Sequence, residues 1–148
     1  MAPRQMDFDP VKIYHSAHAF QLAAMRCEEA RPTAPGTFEM LICPAIVNYA
    51  LACEQYLKCL LRKQGNLHKN VGHELKGLFD SLSSESQQYI VDQMQTSDFT
   101  ELLISISGAF IKWRYIYESE SGAINLDFLR KFCALLRLEC DCELGGMV

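Results

Sequence analysis

The sequence predicts an all-α protein, a single domain folded as an up-and-down bundle of about five helices. Three observations carry that prediction. Helix start and stop residues punctuate the chain at intervals suited to helices of 10 to 20 residues. Between them, apolar residues recur at three- and four-residue steps, the spacing that lines one face of a helix. Two-residue alternation is nearly absent; its one competitor, Leu102 to Ile106, sits inside a longer helical stripe.

The first helix starts at Asp9-Pro10, where a carboxylate caps the first turn and proline loses no useful N–H. Its apolar face is Ile13, Ala17, Phe20 and Ala24, and the prolines and glycine of Arg31 to Gly36 end it. The second helix has the strongest stripe, Ile46, Ala50, Cys53, Leu57 and Leu60, with Gly65 as its left-handed cap. Pro44 either opens this helix or kinks one that begins near Phe38. A short helix is expected over about 74–82. Ser84 with Gln87 forms a capping box for a helix near 85–96, and Asp98 with Glu101 forms another for a long helix to about 118. The long helix carries the stripe Leu102, Ile106, Ala109 or Phe110, Trp113 and Tyr117. Asn125 caps the last helix, near 126–142, through Leu126, Leu129, Cys133, Leu136 and Cys140. The core spans about residues 10–142.

Composition narrows the function classes. At 148 residues and 49% hydrophobic content the chain reads as one globular domain. No apolar run approaches the roughly 20 residues that span a bilayer, so no membrane partner is expected. The polar start MAPRQMDFDP does not read as a secretory signal, and a cytoplasmic location follows as the expectation. Seven cysteines, most on apolar helix faces, read as reduced thiols rather than bridges. Cys140 and Cys142 form the single close pair, too few for a closed zinc site, so neither a metal nor another cofactor is expected.

Net charge is −4, which does not favour phosphate backbones overall, yet its distribution is uneven. Lys58, Arg62, Lys63, Lys69 and Lys76, with His68 and His73, face the single acid Glu74 between residues 58 and 76. The next stretch, residues 77 to 111, holds five acids and neither Lys nor Arg. The basic run is either a solvated helix C-terminus, where cations suit the dipole, or a polyanion site.

Four features in order carry a family resemblance: Asn48 to Lys58 on the second helix; the turn Gly72-His73-Glu74-Leu75 with Leu78; Trp113-Arg114-Tyr115 late on the long helix; and a closing amphipathic helix. Over about residues 10 to 140 this pattern resembles the HEPN family. Those small helical bundles occur with bacterial nucleotidyltransferases, in toxin–antitoxin systems and as RNA-cleaving domains. The resemblance implies a homodimer, a possible nucleotidyltransferase or antitoxin partner, and RNA or a nucleotide as ligand. It implies that Arg114 faces a polar residue of the second helix, Glu54 or Asn48 one and a half turns earlier; the candidate ligand-binding residues are Arg114, Glu54, Lys58, His73 and Tyr115.

The family's ribonucleases place a histidine four to six residues after an arginine. Arg114 matches the arginine, but Ser119, Glu120 and Ser121 follow, and the sequence has no histidine beyond His73. Arginine stays charged and can hold a phosphate; histidine is the natural acid or base near neutrality. The expectation is therefore a non-catalytic or degenerate binding module. The alternatives are an active metal-independent ribonuclease toxin using Arg114 with His73, and an interaction subunit of a two-component system. Arg114 is expected to point at Glu54, as a salt-bridge strut, a phosphate ligand or both.

Overall fold

The computed structural model describes residues 8–67 and 72–146. The expected basic-loop residues His68 and Lys69, and the first seven residues, lie outside the described residues. The chain forms α1 (Pro10–Cys27), β1 (Arg31–Ala34), β2 (Thr37–Glu39), α2 (Ile42–Lys63), α3 (Leu75–Asp80), α4 (Ser84–Met94), α5 (Phe99–Ile106), α6 (Ala109–Arg114), a 3-10 turn (Ile116–Glu118) and α7 (Leu126–Leu144).

Several ends close as their residues dictate. The Asp9 carboxylate accepts the Val11 N–H at 2.9 Å, and Asn125 Oδ1 accepts that of Phe128 at 2.9 Å. Gly65, at φ +74°, ends α2 with paired reverse bonds, Gly65 N–H to Arg62 and Asn66 N–H to Leu61. Other ends differ from expectation. Ser83, not Ser84, caps α4 by accepting the Ser86 N–H at 3.2 Å, while Gln87 donates to the Leu82 carbonyl at 2.9 Å. Asp98 makes no cap bond; it accepts the Thr96 hydroxyl at 2.7 Å.

The all-α expectation holds, with one small addition at 31–39, where the sequence predicts only the end of the first helix. Pro32 and Pro35 forbid helix there, and the segment folds as an antiparallel hairpin that turns at Gly36, φ +80°. Every residue of both strands is exposed, and the Leu41 N–H bonds the Cys27 carbonyl at the hairpin's base. Phe38 lies in β2, so Pro44 falls in the first turn of an α2 that opens at Ile42.

The core is built on α2, which buries twelve residues from Ala45 to Leu61. α1 runs antiparallel to it: Cys59 Sγ donates to the Pro10 carbonyl at one end, Tyr56 to Gln21 midway at 2.6 Å, and Tyr49 to Glu28 at the other end. α7 is antiparallel to α1 as well, with Arg137 Nε 3.4 Å from the Tyr14 hydroxyl and Arg130 on Glu28. Two helices each antiparallel to α1 are parallel to each other. Cys140 Sγ reaches the Tyr56 carbonyl at 3.4 Å, so α2 and α7 lie side by side in the same direction. The short helices α3 to α6 close the remaining side, where Phe79, Phe99, Phe128 and Phe132 pack ring against ring. All seven cysteines are free thiols.

Candidate functional site

The site grows from one buried charge. Glu54 follows core residue Cys53 on α2, so the helical repeat holds it at the edge of the buried face, 7% exposed. A carboxylate there needs partners. Lys58, one turn on, brings Nζ to 3.5 Å of Oε2, and His73 brings Nδ1 to 3.4 Å of Oε1. Lys58 Nζ is also 3.1 Å from His73 Nδ1. A neutral His73 with bare Nδ1 accepts from Lys58; a ring protonated there donates to Glu54.

His73 reaches α2 because Gly72 adopts φ +84°, a left-handed conformation that side chains disfavour. The segment beyond it is anchored by a break the sequence did not show. The predicted 99–118 helix is interrupted at Ser107-Gly108 into α5 and α6. Ser107 turns its hydroxyl to the Lys76 N–H at 2.9 Å and its carbonyl to that of Leu75 at 3.4 Å, so it satisfies the first donors of α3. Glu54, His73, Glu74, Ser107, Phe110 and Ile111 consequently surround a small cavity of about 50 Å³.

Arg114 does not join this cluster. It is exposed at the end of α6, with its guanidinium carbon 4.5 Å from the Phe110 ring centroid and 5.1 Å from that of Tyr115. Among the described residues it has no ion pair, and Glu54 is met by Lys58 and His73 instead. The expected Arg114–Glu54 strut is corrected: the helix break and the His73 turn supply the carboxylate's partners. Arg114 still stands over the ring of Phe110, a wall of the small cavity. Tyr115 is 43% exposed and meets Tyr117 edge-on. Tyr117 is 76% exposed rather than part of the core stripe, because the 3-10 turn at Ile116 ends the helical period.

On the other side of Glu54 lies a larger cleft between α1 and α2, about 380 Å³, walled by Phe8, Ile13 and Leu67 and edged by Lys12, Ser16 and Lys58. Gln55 also lines it, and its Oε1 is buried without a hydrogen-bond partner among the described residues. An orphaned buried acceptor costs on the order of 1–3 kcal/mol.

A second polar group escaped the sequence reading altogether. Arg130 forks onto Glu28, with Nε 3.2 Å from Oε2 and a second bond to Oε1, and Tyr49 donates to Oε2 at 2.5 Å. The Arg130 bond holds Glu28 below the ordinary carboxylate range against its own desolvation, with Tyr49 adding to the effect. Burial, reinforced by Glu28, pushes the Tyr49 hydroxyl up. These groups satisfy one another and tie α1, α2 and α7 together. Glu28 and Arg130 are 102 positions apart, beyond any local pattern.

Among the described residues no group of three His, Cys, Asp or Glu side chains is placed to hold a metal. No described helix is long and apolar enough to cross a membrane. No family model matches the chain, and neither a curated protein nor a solved structure matches it significantly.

Proposed function

We propose that the protein is a HEPN-like binding module without ribonuclease chemistry of its own, which holds RNA phosphates at the rim formed by Arg114, Lys58 and His73. The observation that carries this reading is Arg114: exposed, stacked on Phe110, and free of any ion pair among the described residues. A cation–π contact uses none of the guanidinium's N–H groups as hydrogen-bond donors to an anion, so they remain to take a phosphate. His73, within reach of both Glu54 and Lys58, lines the same small cavity as Phe110 and can add a donor there. Non-catalysis rests on the missing histidine after Arg114 and on the engagement of His73 with Glu54 and Lys58. The homodimer of the reading has a candidate face beside the site, since Ile104, Ile111, Tyr115 and Tyr117 are exposed on and after α5 and α6.

The test is fluorescence anisotropy with labelled single-stranded RNA at several salt concentrations, with intact RNA scored on a gel. Binding that weakens with salt, is lost in Arg114→Ala, and leaves the RNA uncut supports the proposal. Unchanged binding by Arg114→Ala overturns the site, and cleavage overturns the non-catalytic reading.

A further inference from the structure

We infer that His73 is a proton-operated release for Lys58: a ring that takes up a proton claims Glu54, and the freed ammonium turns to phosphate. The inference deepens the rim reading above and rests on it for the phosphate, while the exchange of partners at Glu54 stands on its own geometry.

That geometry is a triangle. Lys58 Nζ lies 3.1 Å from His73 Nδ1 and 3.5 Å from Glu54 Oε2, and the same Nδ1 lies 3.4 Å from Glu54 Oε1. An ammonium has donors only, so its 3.1 Å contact with Nδ1 requires a lone pair there. The arrangement is that of a neutral ring, with Lys58 shared between His73 and the carboxylate. A proton on Nδ1 removes the acceptor and sets two cations 3.1 Å apart. Both cannot keep their places. The ring sits on the Gly72 turn and can donate to Glu54, so the buried carboxylate stays paired. Lys58, on a flexible stem, is the group that can leave.

The surroundings decide where it goes. α2 brings Glu54 and Lys58 to the ring, and the turn adds Glu74, which lines the same small cavity. The α5–α6 side contributes Ser107, Gly108, Phe110 and Ile111, none of which titrates, with Arg114 beyond on the Phe110 ring. On its other side Lys58 lines the α1–α2 cleft with Asp9, an exposed carboxylate that accepts the Val11 N–H. An exposed ion pair holds a lysine only weakly, so a phosphate competes for it. Protonation therefore adds one positive charge to the rim and frees another. Histidine is the side chain that ordinarily changes charge between about pH 5 and 8. His15 and His18 lie elsewhere, on α1 against Tyr14.

The experiment has two readouts on the full chain. The first needs no RNA: nuclear magnetic resonance follows the His73 ring and the Lys58 Cε–Hε signal from about pH 5.5 to 8.5. The Lys58 signal should move with the His73 ring, through the same midpoint. That movement should vanish in His73→Asn, whose amide oxygen can accept from Lys58 and takes up no proton. A Lys58 signal indifferent to the His73 titration overturns the inference.

The second readout is anisotropy with a labelled oligouridylate, whose bases take up no proton in this range, at constant ionic strength. Affinity should rise about tenfold from about pH 8 to about pH 6, with a salt dependence steeper by about one to two phosphate contacts. His73→Asn should flatten both changes, and circular dichroism confirms that each variant is folded. A gain that survives in full in Lys58→Met belongs to the ring charge alone and overturns the release. Binding that ignores pH, or a gain that survives His73→Asn, defeats the inference and leaves the rim proposal. No RNA binding at any pH, with Lys58 and His73 still titrating together, defeats the rim proposal and leaves the release of Lys58 standing.

Discussion

Glu28 and Arg114 show how position decides what a charge contributes. The Glu28 side chain is 16% exposed and clamped by Arg130 and Tyr49, so its ionised form is favoured on folding. A carboxylate whose folded pKa is depressed adds stability above its unfolded value, 4.5, and loses it as pH falls through the folded one. The melting temperature should therefore decline as pH drops below about 4.5, and Glu28→Gln should flatten that decline in thermal melts. Arg130→Met leaves the carboxylate without its main partner; because Arg130 is 43% exposed, solvent screening limits the cost to about 1–2 kcal/mol in denaturant unfolding. Arg114 has only its ring contacts to lose. Arg114→Ala should cost under about 1 kcal/mol in the same assay, and a larger loss would mean a structural role that its contacts do not reveal.

At the scale of elements, the interruption between α5 and α6 places the site. Ser107 gives up the helix it lies in and caps α3, which fixes the His73 turn against Glu54. Ser107→Ala removes the acceptor of the Lys76 N–H and should cost about 1 kcal/mol, with faster amide exchange at the start of α3. Gly72→Ala meets no steric obstacle but must adopt φ +84°, at a cost of roughly 1 kcal/mol or more. Gly108 also has open space around it and a negative φ of −98°, so Gly108→Ala should be tolerated. If both alanines unfold at the same denaturant concentration, backbone conformation at Gly72 does not hold the turn.

Across the whole molecule, α1, α2 and α7 form one packed unit, and the thiols record it. Cys53, Cys59, Cys133 and Cys140 are buried in the α2–α7 region, Cys27 is half-buried, and Cys43 and Cys142 are exposed. Burial keeps the Cys53 and Cys140 thiols protonated and unreactive. A disulfide-exchange reagent should label Cys43 and Cys142 rapidly, Cys27 more slowly, and the other four only after denaturation. Mass spectrometry of the unreduced, denatured chain should count seven free thiols; a stoichiometric bridge would contradict this arrangement.

The helical class and most of the core were legible because they depend on local sequence. The α2 stripe from Ile46 to Leu60 is buried in full, as are Leu129, Cys133, Leu136 and Cys140 on α7, since a three-to-four-residue period needs only one face turned inward. Asp9, Gly65 and Asn125 marked their helix ends because capping is settled within a few residues. Within the candidate site, Glu54 and Lys58 are neighbours by helical spacing alone. The approach of His73, the stacking of Arg114 away from Glu54, and the Glu28–Arg130 clamp depend on contacts between distant segments. The same is true of the parallel packing of α2 and α7, and of the break at Ser107, where a helix gives up continuity to satisfy another helix's free N–H groups. Periodicity tells which face of a helix turns inward; only tertiary packing decides which helix that face meets, and in which direction.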